Sequence, residues 1–218
     1  MKADLHIHTD HSSDGVSSVQ EVLDVARSLG LGCVAITDHN TMSGYWEALE
    51  KAEELIIIPA MEVSSASGHI LAYGIVKEIA SGMGVAETVQ AIHAAGGIAV
   101  AAHPYRTWSG LGEENVIDGF DAIEVLNGRS AEKGNHAAKR LAKKMSKPGT
   151  AGSDAHKVEH VGDAYTVLPS DCCDADDVIK AIKEGRVGIQ GSSRTHMGTI
   201  SYVVKAVSEW ARRGFRRM

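Results

Sequence analysis

The sequence predicts an α/β protein in which parallel strands, covered by helices, close into a barrel. Three observations carry this reading. Runs that are apolar throughout, such as Cys33–Ile36 and residues 55–58 and 98–102, read as strands buried on both faces. Segments with helical spacing alternate with them, the order expected of a parallel sheet wrapped by helices. Histidines and carboxylates fall just after these strands, at the C-terminal rim of a barrel or the crevice of an open sheet, and their repeated placement favours the barrel.

A chain of 218 residues, 44% apolar and 23% charged, is long enough for one sizeable core, and one domain over residues 1–218 is the default. No apolar run follows Lys2 and none approaches a membrane span, so a cytoplasmic protein is expected. Three cysteines, Cys33, Cys172 and Cys173, make no disulfide framework, and an odd count suits a reducing compartment. The adjacent pair lacks the spacing of a zinc site. The net charge of −6 hides an asymmetry: from Arg194 onward six Lys/Arg face the single acid Glu209. The remainder keeps 16 basic residues against 27 acidic ones, a net −11, which does not look like a general nucleic-acid binder. The unusual count is eleven histidines.

The first strand lies in Asp4-Leu5-His6-Ile7-His8-Thr9. Leu5 and Ile7 alternate with His6 and His8, and residues two apart on a strand point the same way. Two neutral imidazoles on one rigid element make half a metal site. A polar loop with Asp14 follows. Ser18-Val19-Gln20-Glu21 has the capping-box pattern, and Val22, Val25, Ala26 and Leu29 keep helical spacing up to Gly30. The strand at Cys33–Ile36 ends in Thr37-Asp38-His39-Asn40, and a helix then runs through Trp46, Leu49 and Ala52. Residues 55–58 form another strand, running into Pro59-Ala60-Met61-Glu62.

A strand over 69–73 begins with His69, a helix over 86–95 stops at Gly96-Gly97, and a strand over 98–102 ends in His103-Pro104. Residues 122–126 carry Glu124 and lead to Asn127-Gly128-Arg129. The lysine-rich helix over 131–145 keeps Ala138, Leu141, Ala142 and Met145 on one face. Gly152-Ser153-Asp154-Ala155-His156 closes a short strand. A strand over 164–168, a helix over 174–184 capped by Asp174 and a strand over 187–190 come next. A basic amphipathic helix at about 200–215 closes the chain, with Ile200, Val203, Val204, Val207, Trp210 and Ala211 on its stripe.

The candidate ligands are His6, His8, Asp14, His39, Glu62, His69, His103, Asp154 and His156. Six imidazoles and three carboxylates are too many for one tetrahedral ion. With one carboxylate bridging they make about ten bonds, roughly three for each of three metals, and leave positions open for water as catalytic sites do. Three carboxylates against three dications leave about +3, which attracts an anion such as phosphate.

In these residues the sequence resembles the PHP (polymerase and histidinol phosphatase) family. The motifs are Asp4-Leu5-His6-Ile7-His8-Thr9, Ser13-Asp14-Gly15, Ile36-Thr37-Asp38-His39, Glu62-Val63-Ser64, Gly68-His69-Ile70, Ala102-His103-Pro104 and Gly152-Ser153-Asp154-Ala155-His156, in order from residue 4 to 156. The resemblance implies a distorted (β/α)7 TIM-like barrel with two to three divalent ions, Zn, Mn or Fe, in a trinuclear centre that hydrolyses phosphate esters. It also implies a ligand scheme. His6, His8, Glu62 and Asp154 would hold one ion; Asp14, His39 and His156 a second; Glu62, His69 and His103 a third, with Glu62 bridging. Spacing alone agrees for the pairs His6/His8 and Asp154/His156 and does not assign ions.

The implied chemistry is attack on phosphorus by a water whose pKa the cations lower. Arg106 and Arg129 lie on loops at the same rim, where a guanidinium fork suits phosphate oxygens or is simply solvated. His11 and Asp38 are candidate general acids, and Asp38 alternatively orients a ligand. Glu124 reads as support for the rim, and His93, His136, His160 and His196 as ordinary polar residues. The expected substrate is a small phosphorylated molecule, a nucleotide among them. A 5′-3′ exonuclease or nucleotide bisphosphatase is the nearest alternative, but a nuclease needs a basic, aromatic-lined groove that ten aromatics and an acidic body do not advertise. Histidinol phosphate phosphatase stands on family grounds alone. An amidohydrolase also opens with HxH, yet Asp14 and the Asp154/His156 pair argue against it. A non-catalytic metal-binding domain would be expected to have lost ligands, and none is missing. Arg212, Arg213, Arg216 and Arg217 read as a solvated face, with a nucleic-acid backbone or a partner subunit as the lesser expectation.

Overall fold

The structure, a computed structural model, describes residues 1–193. The closing helix expected at about 200–215 and His196 lie outside the described residues.

Strand β1 (Lys2–Ile7) leads to α1 (Val19–Ser28), β2 (Cys33–Ile36), α2 (Ser43–Glu50) and β3 (Ile56–Ile58). Then come β4 (Ala60–Ser65), β5 (Gly68–Tyr73), α3 (Val85–Ala94), β6 (Ile98–Ala101) and β7 (Ala122–Asn127). Helix α4 (Glu132–Met145), β8 (Gly149–Gly152), β9 (Ala164–Val167), α5 (Ala175–Lys183) and β10 (Gly188–Gly191) complete the described chain. Local chemistry starts the helices. Ser18 Oγ accepts from the Glu21 N–H at 3.3 Å while the Glu21 carboxylate accepts from the Ser18 N–H at 2.8 Å, a closed capping box for α1. Asp174 accepts from the Asp177 N–H to cap α5. Helix α2 stops short of Ala52, burying Tyr45 and Ala48 and turning Trp46 and Leu49 outward. No helix among the described residues is long and apolar enough to cross a membrane.

A closed barrel of parallel strands is not seen among the described residues. The strands make two mixed five-stranded sheets, ordered β10-β9-β1-β2-β3 and β4-β5-β6-β7-β8, and no closed barrel among the described residues. Two local causes are visible. Pro59 lacks an N–H to donate, and the apolar run divides there into β3 in one sheet and β4 in the other. The two residues Ala66 and Ser67 then join β4 to β5, a connection only an antiparallel pair accepts. Strand β5 is antiparallel to β6 as well, and β9 to both β1 and β10. The sheets meet at the rim through two single parallel bridges, Ile7 with Ala155 and His39 with Glu62.

Alternating faces build two apolar layers. Ala3, Leu5, Cys33, Ala35, Leu71, Tyr73 and Val100 pack with Val178, Ala181 and Ile182 of α5, and Tyr73 Oη donates across to the Leu5 carbonyl at 2.8 Å. Ile7, Ile36, Ile70, Ala99 and Ile123 pack instead against apolar residues of α1, α3 and α4. Leu5 and Ile7 therefore lie in different layers, against the simple alternation of the sequence. The cause is an extra residue in β1: Asp4 pairs with Val34, but Ile7 pairs with Ile36. Such a bulge re-aims the side chains beyond it. A second irregularity between Glu124 and Leu126 does the same in β7.

Candidate metal centre

The bulge in β1 sends His6 and His8 to the rim between the sheets, where their Nε2 atoms stand 3.2 Å apart. His8 is held by its N–H on the Ala155 carbonyl at 2.8 Å, and the Asp154 N–H returns to the His6 carbonyl at 2.7 Å. Glu62, on β4, is the hub. Its Oε1 lies 3.1 Å from His103 Nε2, 3.1 Å from His69 Nδ1 and 3.4 Å from His6 Nε2. Its Oε2 lies 3.1 Å from His39 Nδ1 and 3.3 Å from His8 Nε2. Asp14 Oδ2 meets His156 Nε2 at 2.8 Å and His39 Nε2 at 3.7 Å. His103 (φ 25°) and Asp154 (φ 51°) both take left-handed backbone, a strain that surrounding bonds must hold.

All nine candidate ligands read from the sequence come together. They form four overlapping groups: His8, Asp14, His39 and His156; His6, Glu62 and His103; His6, His8 and Asp154; His39, Glu62 and His69. These groups cut across the scheme implied by the resemblance, since His8 stands with Asp14 and His69 stands with His39. The donor set fits divalent cations on two counts. Two ligand atoms on one tetrahedral ion stand ~3.4 Å apart, given bonds of ~2.1 Å, and the separations around Glu62 have that size. Buried His39 Nδ1, His69 Nδ1 and Asp14 Oδ1 have no hydrogen-bond partner, although both nitrogens lie near a Glu62 oxygen. Burial without a partner costs a polar group about 1–3 kcal/mol, which a shared cation removes.

A second ring of contacts orients these groups. Glu124 Oε1 accepts from His6 Nδ1 at 2.9 Å, leaving Nε2 as the bare nitrogen that faces the centre. Its Oε2 accepts from the His103 N–H at 2.8 Å and from Asn127 Nδ2 at 3.0 Å, so the supporting role expected of Glu124 is what it occupies. Ser12 Oγ accepts from the His39 N–H at 2.8 Å and lies 3.3 Å from His8 Nδ1. Asp38 spends both oxygens on the Thr9 N–H and hydroxyl, each at 2.7 Å. His11 pairs with Glu47 on α2 at 2.8 Å. His93, His136 and His160 pair with Asp121, Glu132 and Asp163, apart from the cluster.

Arg106 and Arg129 both reach Asp154. Arg106 Nη2 donates to Asp154 Oδ2 and to Asn127 Oδ1, and Arg129 Nη1 lies 3.4 Å from Asp154 Oδ1 and 2.6 Å from His156 Nε2. The fields follow from this packing. Burial and the neighbouring His156 push His8 down to about 4, and burial with Arg106 pushes His103 down to about 3, so both stay neutral as ligands require. Burial opposes ionisation of Asp154 and Glu62, but Arg106 with His6 and Arg129 outweighs it for Asp154, and the surrounding imidazoles for Glu62. Both carboxyls fall well below the usual range. Asp4, raised by burial to about 6, accepts from the N–H groups of Ser153 and Gly162 at 2.9 and 2.8 Å and ties β1 to the Asp154 segment.

Sequence reasoning missed Ser12, Asn127 and Asn135 as supports. Asn135 left a readable signal, a polar residue three before Ala138 on the apolar stripe of α4, and it is buried.

A model of the PHP domain matches residues 4–96, and a model described as PHP-associated matches residues 132–187. An uncharacterized protein of Methanocaldococcus jannaschii is 36% identical over 140 residues, 58% of this chain and 82% of that one. A solved two-domain protein of Bacteroides vulgatus, containing a predicted PHP-like metal-dependent phosphoesterase, superposes with a TM-score of 0.75 at 17% identity. The match covers 88% of this chain and 65% of that longer one. Endonuclease Q of Pyrococcus furiosus superposes with a TM-score of 0.63 at 17% identity, over 86% of this chain and 57% of its own. Those two likenesses are of fold. With both family models matched in order on one sequence, and the histidine-carboxylate cluster drawing six of its nine residues from the first match and two, Asp154 and His156, from the second, the chain belongs to the PHP family.

Proposed function

We propose that the protein is a metal-dependent phosphoesterase that hydrolyses the phosphate monoester of a small molecule, a nucleotide among the candidates. The observation that carries this is Glu62, one buried carboxylate facing five imidazoles, with two arginines at the edge of the same cluster. His6, His8, Asp14, His39, Glu62, His69, His103, Asp154 and His156 would hold two to three divalent ions, Zn, Mn or Fe. Bound there, such ions supply Lewis-acid activation of water and neutralise charge on phosphoryl oxygens. The chain's own part is orientation. Glu124 and Ser12 aim the imidazoles, and Asp154 stations Arg106 and Arg129 where their remaining N–H groups meet the ester's non-bridging oxygens. Asp38, saturated by Thr9, is a clamp between β1 and β2 in this reading and not the general acid.

A nuclease is the second reading. It draws on the fold shared with endonuclease Q and on the exposed basic residues Lys133, Lys139, Arg140, Lys143 and Lys144 of α4. One experiment separates the two: metal content per chain on protein purified without chelator, with a panel of an aryl phosphate, AMP, a 3′,5′-bisphosphate, histidinol phosphate and a 5′-phosphorylated RNA. Bound metal with turnover of one small monoester is the expected result. Turnover of RNA alone would move the reading to nuclease. No metal and no turnover, even after Mn or Zn is added, would overturn both.

A further inference from the structure

A cleft of about 530 Å³ opens beside the centre, between the tip of the β4–β5 hairpin and the segment that follows β6. That volume is in the range of small-molecule sites, about 300–1,000 Å³. The chain fixes where the cleft stands. Ser67 lines it two residues before His69, and Pro104 lines it directly after His103. Arg106 belongs to both places, lining the cleft while its Nη2 rests on Asp154. The outer wall is tied down: the Gly112 N–H donates to the Pro104 carbonyl at 2.9 Å, and the His69 N–H to the Ser109 carbonyl at 3.1 Å.

The polar groups of this cleft are lopsided. Arg106 is the one Lys or Arg among its lining residues, and it sits at the end nearest the centre. The other charged side chain of the lining, Glu114, only accepts hydrogen bonds when ionised. The Glu114 carboxylate folds over Gly112, where a Cβ would meet both of its oxygens. Asn115 commits Nδ2 to the Leu111 carbonyl at 2.8 Å, which leaves Oδ1 as its acceptor, and Ser67 adds a hydroxyl. Arg140 and Lys144 line a separate hollow beyond Tyr105. There Glu113 accepts from both the Lys144 ammonium and the Tyr105 hydroxyl at 2.7 Å, so that cation is already matched.

Resting on the phosphoesterase reading, we infer that this cleft takes the alcohol half of the ester and that Glu114 sets its specificity. The alcohol carries hydrogen-bond donors, hydroxyl groups or an ammonium, and a second phosphate on it is turned away. Close to water's dielectric, a doubly charged phosphate about 7 Å from a carboxylate loses on the order of five- to tenfold in binding.

Adenosine 5′-monophosphate and adenosine 3′,5′-bisphosphate present the same 5′ ester with and without the extra charge. The test is the ratio of their kcat/KM values on metal-loaded full-length protein, for wild type, Glu114→Gln, Glu114→Lys and the remote control Glu50→Lys. Wild type should favour the monophosphate. Glu114→Gln should shrink that preference by about fivefold and Glu114→Lys by more, an effect that fades at high salt, while Glu50→Lys keeps the wild-type ratio. Hydrolysis with a ratio that Glu114→Lys does not move, or a wild type that favours the bisphosphate, overturns this inference alone. Turnover of the aryl phosphate with hydrolysis of neither adenosine ester overturns this inference alone, and no turnover of any monoester by metal-loaded protein removes the phosphoesterase reading and this inference with it.

Discussion

The side-chain amide of Asn135 closes a pair of hydrogen bonds on the backbone of Asn127. Nδ2 donates to the Asn127 carbonyl at 3.0 Å, and Oδ1 accepts from its N–H at 3.1 Å. Helix α4 thereby positions the end of β7, where Asn127 donates to Glu124 and Asp154 and accepts from Arg106. Asn135→Ala should leave the buried Asn127 N–H unpaired and its carbonyl with the Ser130 N–H alone, at a cost of about 1–3 kcal/mol. Asn135→Leu should not rescue the loss, although it completes the apolar stripe. Urea unfolding of both variants against wild type checks this, and a wild-type midpoint in either would refute it.

Asp154→Ala should lower bound metal and ester hydrolysis together, because it removes a carboxylate from the cluster and takes from two arginines their shared anionic partner. His136→Ala should change neither, since that ring is exposed on α4 and only loosely paired with Glu132 at 3.9 Å. Metal analysis and turnover, measured on the same preparations, decide. Full metal content in Asp154→Ala would sink the ligand set.

Glu124→Gln exchanges a carboxylate for an amide while keeping its size. One of its two terminal atoms then becomes a donor, in conflict with either the His6 Nδ1–H or the donors from His103 and Asn127. Metal affinity should fall about 10–100-fold, the usual effect of losing a partner behind a ligand. Chelator competition reads the affinity, and circular dichroism should show the fold retained.

Removing metal should lower Tm. A ligand bound only by the folded chain stabilises it by about 2.7 kcal/mol when its free concentration is a hundred times Kd. A Tm that is the same with chelator and with added Mn or Zn would contradict the donor-set argument.

Ser18→Ala should cost about 1 kcal/mol by opening the α1 capping box. The Ser18 contacts hold the Glu21 carboxyl below its usual range, so the box is whole above the unfolded-state titration and weakens as pH falls through the folded one. The cost of Ser18→Ala should therefore shrink in acid, and a pH series of denaturation midpoints tests the sign.

Much of this was legible in the sequence. Apolar runs marked β2 and β6 to within a residue, and the capping pattern marked α1. The nine ligands stood out because histidines and carboxylates kept ending those runs. Strand direction was harder to read. Pro59 and the Ala66-Ser67-Gly68 turn were signals of a broken run and a hairpin, but apolar content alone reads the same for parallel and antiparallel strands. The bulge in β1 left no signal, since Leu5-His6-Ile7-His8 alternates perfectly and only pairing with β2 reveals the extra residue. Asn127 was invisible for a similar reason: its partners come from β7, α4 and the segments after β6 and β8, brought together only by folding.

The apolar layer that joins Leu5 and Tyr73 to α5 adjoins a cluster graded in depth. Asp14, His39 and His69 are partly exposed, while His6 and Glu62 are sealed at 0% and 1%. Emptying such a site would have an order. Ions bound near the exposed residues would exchange first and the innermost last, so chelation should run in separate kinetic phases, the slowest belonging to any ion held by His6, Glu62 and His103.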